Sequence, residues 1–590
     1  MPHATAAMRA VRALPQLSNE APFSTHQTLR ATTSVSRTST HCSRHTMTGM
    51  IAEINAASNK LHSALDQYLR TCSAIRDSYS RRGALGDVPT ELMNCVLNEL
   101  TQITLYEAKF QQAKANIAVA RNGTPAIVPI HILPTEILVR IFHLAIDLRC
   151  RSNVKSRSRK VTSPINLSHV CSRWREILIE ASSLWSHIDF SLSGLFNHGQ
   201  GSIPYSEVSM ARSKQSMLEL HIVDRMVSSR LNTTGFVQFL APIATRIRSL
   251  SLELGADLSP GQGSVLSPIL FHCFANCVPG TLRQLHLLQT SSRVNDACTF
   301  IMATGSSSPH GPRDILLGLS EQRLENLWHS VSVLQLRGLY PPWTSKAYHG
   351  LVELRLHSFR SSSITELQLV AILASSPGLR ILEVGLELTE PLPTDSSIIP
   401  VRLNDLETLT TEPSQRGRLG GLPRLLAPGL KPLQVSILNS RYRVLEGEEW
   451  LTDGKLEELF ARSNVTCLYV GVLNGYSQAI KLLSLVPRGH LPVLGVNHLI
   501  GGGIESLDAL GPDISLNSFY MRSGTAQLDQ LEQFIRRCQV QTFTLRRCNL
   551  NDVDGHTTIL RENFQNRLSN ICPVFKLLSD DEPGPFEDYA

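Results

Sequence analysis

Short apolar runs recur through the C-terminal half of the chain at a spacing that restricts the folds open to it. Each run has the form apolar-x-x-apolar-x-apolar, with polar residues at alternate positions, as in a half-buried strand. The runs begin at Met217, Ile247, Leu282, Val331, Leu351, Leu379, Val465, Leu491, Leu516 and Val540. The last four starts lie 26, 25 and 24 residues apart, with helix-like segments such as 454–463 and 528–538 between them. A strand, a loop and a helix repeated at that period predict a parallel β/α array in which each unit packs on its neighbours.

One of these units matches a repeat template in full. The defined positions of L-x-x-L-x-L-x-x-[NC]-x-L are occupied by Val540, Phe543, Leu545, Cys548 and Leu550. This unit resembles a leucine-rich repeat, and the resemblance implies an irregular parallel β/α solenoid over residues 212–575. A gap of 86 residues separates the starts at Leu379 and Val465, and residues 403–406 and 435–437 are candidate strands inside it.

A solenoid of this kind presents one concave face, built from strand side chains that point away from the core. Strand periodicity places several charged and aromatic residues on that face. The candidate substrate-binding residues are Arg337, Arg355, His357, Tyr469, Arg546 and Arg547. Glu383 and Tyr520 are expected to point the same way.

Helical periodicity dominates residues 51–123. From Ile51 to Ile75 the apolar residues fall three, four or seven apart, which predicts an amphipathic helix of about 28 residues ending near Gly83. A second helix is expected from Pro89 to about Asn122, because proline suits the first turn of a helix. Two antiparallel helices cannot bury both apolar faces alone. We therefore expect this hairpin to dock on the segment that follows or to pair with a second copy.

Residues 126–190 predict three short helices around a small shared core. Pro134 opens the first helix, and the second and third are centred near Trp174 and Trp185. Three groups of residues carry a compound pattern. They are Leu133-Pro134-Thr135-Glu136-Ile137-Leu138 with Ile141-Phe142, then Val170-Cys171 with Trp174, then Leu184-Trp185. The ordered combination is far more specific than any one of its parts. In this order the residues resemble the F-box, the adaptor-binding motif of cullin–RING ubiquitin ligase receptors.

The F-box resemblance implies binding rather than chemistry. In the family this motif lies against a Skp-type adaptor, so a few desolvated apolar side chains are expected to carry the contact. The residues that match positions near that surface are Leu133, Pro134, Ile137, Leu138, Ile141, Val170 and Trp174. Phe142 and Leu167 are expected to belong to the domain's own core instead.

Three segments fit no folded unit. Residues 149–163, inserted after the first F-box helix, are basic and serine-rich and predict a disordered loop. A nuclear localisation signal, a phosphorylated patch and intron read-through are the alternatives for that insertion. Residues 1–50 predict a disordered tail, with a mitochondrial transit peptide or a later start at Met47 or Met50 as alternatives. Residues 576–590 predict an acidic disordered tail.

Composition narrows the class of protein. Hydrophobic residues make up 42% and charged residues 18% of the 590 residues, which supports a sizeable core and excludes a largely disordered chain. The best candidate membrane span, residues 128–148, is interrupted by Pro134, Glu136 and Arg140, so we expect no membrane segment. Residues 1–50 carry a net charge of +4 and residues 149–160 a net charge of +6, which leaves about −4 for the rest of the chain, so we expect no nucleic-acid partner. Twelve scattered cysteines predict an intracellular protein with free thiols.

No catalytic motif is found in the sequence. There is no P-loop, no G-x-S-x-G and no H-E-x-x-H, and the isolated trio His272, Cys273 and Cys277 lacks the fourth ligand of a zinc site. We therefore expect no cofactor, no metal and no enzymatic activity in this chain.

The leading hypothesis is a cytoplasmic or nuclear substrate receptor of a cullin–RING ligase, with a Skp-type adaptor, a cullin scaffold and an unknown protein substrate as partners. A scaffold protein with a decayed F-box is the main alternative, and a mitochondrial enzyme is a third. Adaptor binding would separate the first two, and cleavage near residue 50 would support the third.

Overall fold

The structure is a computed structural model that describes a set of separate ranges along the chain. They are residues 43–82, 89–123, 129–146, 163–191, 203–224, 233–254, 263–289, 298–305, 314–358, 362–393, 399–412, 421–438, 455–487, 490–500, 515–551, 561–579, 582, 584 and 586. Two compact units are distinguished, Met1–Ile117 and Ala118–Ala590. The predictions made for residues 1–42 and for the insertion up to residue 162 fall outside the described residues.

Two long helices form the N-terminal region, as the apolar periodicity predicted. Helix α1 spans Ser43–Arg82 and helix α2 spans Thr90–Gly123. The predicted disordered tail up to residue 50 is corrected at residues 43–50, which belong to α1. The Tyr68 hydroxyl donates to Glu99 Oε2 at 2.9 Å and links the two helices. Apolar side chains of both, such as those of Leu69 and Phe110, are exposed. Docking of this pair on another surface stays a prediction.

The next region is a small helical domain with its own core. Its elements are the 3-10 turn Pro129–Ile132, helices α3 (Thr135–Ala145), α4 (Pro164–Ser168) and α5 (Ser172–Glu180), and the 3-10 turn Ser182–Trp185. Side chains start the helices in the expected way, since Ser163 accepts a hydrogen bond from the Asn166 amide at the start of α4. The buried core consists of Leu138, Phe142, Ile146, Ile177, Leu178, Leu184 and Trp185.

A 14-stranded sheet follows, and its strands lie in the order in which they occur along the chain. The strands are β1 (His187–Ser191), β2 (Leu218–Asp224), β3 (Ile247–Leu254), β4 (Gln284–Gln289), β5 (Val333–Arg337), β6 (Glu353–His357), β7 (Ile381–Val384), β8 (Thr408–Thr411), β9 (Pro432–Ile437), β10 (Asn464–Asn474), β11 (His490–Ile500), β12 (Ser515–Gln527), β13 (Thr542–Asn551) and β14 (Val574–Leu577). Every neighbouring pair is parallel. Parallel neighbours require a crossover between consecutive strands.

Helices and short strands supply many of these crossovers. The helices after α5 are α6 (Ile203–Arg212), α7 (Thr233–Leu240), α8 (Gly263–Asn276), α9 (Glu321–Trp328), α10 (Glu366–Ala374), α11 (Leu422–Leu425), α12 (Lys455–Ala461), α13 (Tyr476–Ser484), α14 (Leu528–Arg537) and α15 (Arg561–Ile571). Two 3-10 turns, Ala244–Arg246 and Lys346–Tyr348, add to them. Small separate sheets contain Thr299–Ala303, Ile315–Leu317, Leu339–Tyr340, Ser363–Thr365, Glu387–Thr389, Val401–Leu403 and Leu426–Pro428. Among the helices in the described ranges, none is both long enough and apolar enough to cross a membrane.

The fourth position of each predicted apolar run forms one continuous ladder through the sheet. Adjacent strands place these residues in register, and all but the last are buried. The ladder runs Ile188, Leu220, Leu250, Leu285, Leu334, Leu354, Leu382, Leu409, Val435, Leu468, Leu494, Phe519, Phe543 and Phe575. Buried side chains from the helices pack with this ladder in a single large core. The array is thus held together by apolar contact between successive units.

The sheet is longer than the sequence pattern predicted. All ten predicted runs contribute strands, and so does the candidate at residues 435–437. Strands β1 and β8 were missed because β1 overlaps the F-box pattern and β8 presents threonines rather than aliphatic residues. Strand β14 extends past the predicted end at residue 575. The tail prediction is corrected there and at Phe586, which is only 4% exposed.

Candidate functional site

The turn that carries Leu133 and Pro134 is held in place by an arginine from helix α5. Arg173 donates from Nη1 to the carbonyl of His131 and from Nη2 to the carbonyl of Leu133, the second at 3.0 Å. Pro134 then starts α3, and its carbonyl accepts from the Leu138 amide at 3.1 Å. A charged donor that spans two carbonyls fixes the turn more firmly than a neutral donor would.

A second contact joins the same two segments. Cys171 caps α5, where its Sγ accepts from the Trp174 amide at 3.5 Å. The same Sγ lies 3.7 Å from Nε2 of the buried His131. Val170 directly precedes Cys171, so the α5 start brings Val170 to the side of the domain that holds the turn. The two halves of the F-box-like pattern are therefore joined in space.

Helix α3 divides its aliphatic residues between two faces. Leu138 and Phe142 point into the core. Ile137, Ile141 and Leu144 are spaced four and three residues apart and share the other face. Ile137 is 48% and Leu144 is 73% exposed, whereas Ile141 is half-buried. We call Ile137, Ile141 and Leu144 the outer stripe of α3.

The predicted adaptor-binding residues differ in accessibility. Pro134 and Val170 are exposed, as is Ile137 in the outer stripe. Leu133 and Trp174 are half-buried and pack against the core, and the Trp174 ring centroid lies 4.8 Å from that of Phe142. Leu138 is 0% exposed. The prediction for Leu138 is corrected, because a side chain closed inside the core presents no surface to a partner.

Two exposed apolar residues of this region were missed from the sequence. Ile132, in the turn before Pro134, is 69% exposed, and Leu144 ends the outer stripe. The spacing of Leu144 from Ile141 carried a usable signal, since residues three apart on a helix share a face, whereas no spacing signal marked Ile132. The two predicted core residues, Phe142 and Leu167, pack in the core as expected, Phe142 fully and Leu167 in part.

This geometry agrees with a comparison to protein families. A family model described as F-box-like matches residues 130–191. The chain carries an F-box-like domain. The resemblance drawn from the sequence motif is thereby confirmed, and the matched segment contains every predicted adaptor-binding residue. No curated protein matches the chain.

The F-box-like domain is built directly onto the sheet. Its matched segment ends in β1, which pairs with β2. Trp185 is buried, donates from Nε1 to the Leu178 carbonyl at 2.6 Å, and lies under the Arg212 guanidinium at 5.2 Å. The Ser182 and Ser216 hydroxyls are 2.8 Å apart. These contacts join the F-box-like domain to the first strands of the sheet.

The face of the sheet opposite the leucine ladder is a second candidate surface. We call it the open face. Arg337 and His357 are in register on β5 and β6, and Arg355 is on β6 two residues before His357. Arg355 pairs with Glu353 at 2.6 Å and with Glu383 at 3.2 Å. These three predicted substrate residues are thus brought together, but the charge of Arg355 is largely balanced within the sheet.

Burial changes the titration of this part of the open face. Burial, aided by Arg337 and Arg355, lowers the pKa of His357 to about 4, so His357 is neutral near pH 7. Burial and the nearby Glu383 charge raise the pKa of Glu412 to about 7. Burial also raises the pKa of Glu383. The centre of the open face therefore holds less charge than its sequence indicates.

A buried ionic cluster lies at the β1 end of the open face. Asp189 Oδ1 lies 2.9 Å from His221 Nδ1 and 3.2 Å from His187 Nε2. Burial alone would raise the pKa of Asp189, but the two histidine contacts outweigh it and lower the pKa. Within the described ranges, no group of three His, Cys, Asp or Glu residues is arranged to hold a metal ion.

The other end of the open face departs from prediction. Tyr469, Tyr520 and Arg546 were expected to be accessible, yet each is at most 3% exposed. Both tyrosines contact Phe586, whose ring centroid lies 4.8 Å from that of Tyr469, and Gly584 lies beside Arg546. Arg547 is exposed and adopts a positive φ of 54°. Of this second group only Arg547 is exposed, and its role in substrate binding stays a prediction.

Proposed function

We propose that the chain is a substrate-receptor subunit of an SCF-type cullin–RING ubiquitin ligase. Its F-box-like domain binds a Skp-type adaptor, which connects it to the cullin, and its sheet binds a protein substrate. The observation that carries this proposal is the outer stripe of α3. The domain closes its own core without Ile137 and Leu144, yet leaves both at the surface beside the arginine-held turn. Apolar side chains exposed in this way are typical anchors for a helical partner.

The C-terminal sheet supports the substrate-binding half of the proposal. We propose that it is a leucine-rich-repeat solenoid that presents its open face to the substrate. Its parallel strands follow chain order, and each contributes one rung to the apolar ladder. Such arrays characteristically use an extended strand face for binding.

The chain itself performs no chemistry in this proposal. It raises the local concentration of a substrate beside the ubiquitin-loaded enzyme that other subunits hold. The close junction at Trp185 and Arg212 supports that role, because it holds adaptor and substrate at a set separation. Partners of this kind place the protein in the cytoplasm or the nucleus.

Co-purification with a Skp-type adaptor and a cullin tests the proposal. The tagged full chain is compared with an Ile137→Asp/Leu144→Asp variant, and Leu430→Asp serves as a matched control because Leu430 is exposed far from the F-box-like domain. Two carboxylates in an apolar contact should cost several kcal/mol, on the order of 3 or more, of binding free energy.

We expect stoichiometric capture by the wild type and by Leu430→Asp, and at least a tenfold loss in the double variant with an unchanged melting temperature. A folded wild type that captures no adaptor would overturn the proposal. Capture of the adaptor without the cullin would favour the alternative of a scaffold that takes no part in ubiquitin ligation.

A further inference from the structure

Three neighbouring strands build an aromatic slot on the open face. Tyr469 on β10, Gly495 on β11 and Tyr520 on β12 are in register with one another. Their ladder neighbours Leu468 and Leu494 point into the core, so the two tyrosines flank the glycine on the opposite face. Since glycine has no side chain, the space between the tyrosine rings is left for another group.

Phe586 fills this slot. Its ring lies 4.8 Å from Tyr469, nearly parallel at 23°, and 5.5 Å from Tyr520 at 48°. A Cβ atom at Gly495 would lie 2.6 Å from the Phe586 ring, so no larger residue fits there while Phe586 is bound. Leu438, Cys467, Val493 and Leu578 pack around these three rings. Stacked aromatic rings and an excluded glycine side chain give a site built for one flat apolar group.

The slot has a basic edge next to Gly584. A Cβ atom at Gly584 would touch the Tyr520 hydroxyl and lie 3.3 Å from Arg546 Nη1. Arg546 is in register with Arg522 on the next strand, and Arg547 follows it in sequence. The sequence around Phe586, SDDEPGPFEDYA, contains five acidic residues. Opposite charges favour the approach of a segment of this composition to the basic edge.

We propose that this slot is a peptide-binding site for an acidic segment with a central phenylalanine, occupied in cis by Phe586 and opened when a protein partner supplies a segment of the same chemistry. The partner's phenylalanine enters between Tyr469 and Tyr520, and its flanking carboxylates pair with Arg522 and Arg546 at the edge of the slot. As the substrate class of a ligase receptor this rests on the proposed function. Binding of the peptide itself requires no adaptor.

The tethered segment competes strongly with any segment added in trans. A short tether holds it at an effective concentration on the order of 1 mM. A partner must therefore bind better than the chain's own segment, or offer several contacts at once, to enter. Acidic peptides whose affinity for the slot is lower than that of the chain's own segment are therefore excluded.

A labelled peptide of sequence SDDEPGPFEDYA tests the proposal by fluorescence anisotropy on the full chain. Phe586→Ala empties the slot, and we expect it to bind the peptide at least tenfold more tightly than the wild type does. The same peptide with alanine in place of phenylalanine should bind at least tenfold more weakly to Phe586→Ala. Adding Gly495→Val to the Phe586→Ala variant fills the slot with a side chain and should remove the gain in peptide affinity. Raising the salt concentration should weaken binding, because the flanking contacts are ionic.

Equal peptide binding by the wild type and Phe586→Ala would overturn the proposal, and so would equal binding of the phenylalanine and alanine peptides. The peptide comparison does not depend on how well Gly495→Val folds. Adaptor capture is measured on the same proteins and should be the same for wild type and Phe586→Ala. Peptide binding without adaptor capture would contradict only the ligase proposal. Adaptor capture without peptide binding would contradict only the proposal of a peptide-binding slot.

Discussion

Two apolar surfaces of this protein differ in whether the chain covers them. The outer stripe of α3 leaves Ile137 and Leu144 at the surface, whereas the slot between Tyr469 and Tyr520 is closed by Phe586. The stripe is short and lies on helix α3, where Ile137 and Leu144 already face solvent. The covered slot can take a partner only by competition with the chain's own segment.

This difference shows that a residue which periodicity places on the outer face of a helix or strand is not always accessible to a partner. The helical stripe and the open face both follow from simple periodicity. Accessibility depends in addition on segments that return from far along the chain. Phe586 lies more than a hundred residues from Tyr469 in sequence, yet it covers that ring.

The largest expected effect separates the two faces of α3. Leu138→Ala removes a fully buried side chain and should lower the free energy of unfolding of the F-box-like domain by about 2–5 kcal/mol. Ile137→Ala should change it by less than about 0.5 kcal/mol but weaken adaptor binding. Hydrogen exchange of the α5 amides measures the free energy of unfolding, and calorimetry measures the free energy of adaptor binding. Equal destabilisation by the two substitutions would contradict the assignment of the faces.

A smaller effect on stability is expected at the centre of the open face, where the Glu412 side chain is half-buried. Its pKa of about 7 in the folded state exceeds the usual value near 4.5, so the folded state binds the proton more tightly. Stability due to this group is full below about pH 4.5 and is lost as pH rises through 7.

Glu412→Gln should therefore be more stable than the wild type at pH 8, by about 2 kcal/mol, and nearly equal to it at pH 4.5. Melting temperatures of both proteins across this range test the sign. A pH-independent difference between them would show that Glu412 is solvated and that the centre of the face is open.

The smallest effect concerns the turn that supports the uncovered surface. Arg173→Ala removes the hydrogen bonds to the His131 and Leu133 carbonyls and should weaken adaptor binding by about 1–2 kcal/mol. Arg175→Ala, at an exposed neighbouring position, is the matched control and should bind as the wild type does. Indistinguishable adaptor affinities for the two variants would show that the turn needs no arginine to keep its shape.

Sequence periodicity predicted most of the sheet because most of its strands repeat the same apolar pattern. A strand that packs on one face needs an aliphatic or aromatic residue at each ladder position, and Leu250, Leu354 and Phe543 occupy them. Strand β8 lacks this signal because its inner positions include the buried Thr411. Pairing with its neighbours, which a single sequence does not reveal, makes it a strand.

The binding surfaces were predicted less fully than the fold. Leu138 and Ile137 are adjacent aliphatic residues, and a rotation of about 100° per residue decides which of them enters the core. The F-box-like motif includes both and does not separate them. Tyr469 and Tyr520 were correctly assigned to strands, but no local pattern indicates that Phe586 returns to cover them.

Hydrogen exchange of the full chain with and without a Skp-type adaptor tests the contrast between the two surfaces most directly. We predict that the adaptor protects residues 129–146 and 169–175 and leaves residues 464–500 and 515–527 unchanged, because only the first surface is uncovered. Protection confined to the sheet, or no protection of α3 in a folded complex, would contradict the assignment of the outer stripe as the adaptor-binding surface.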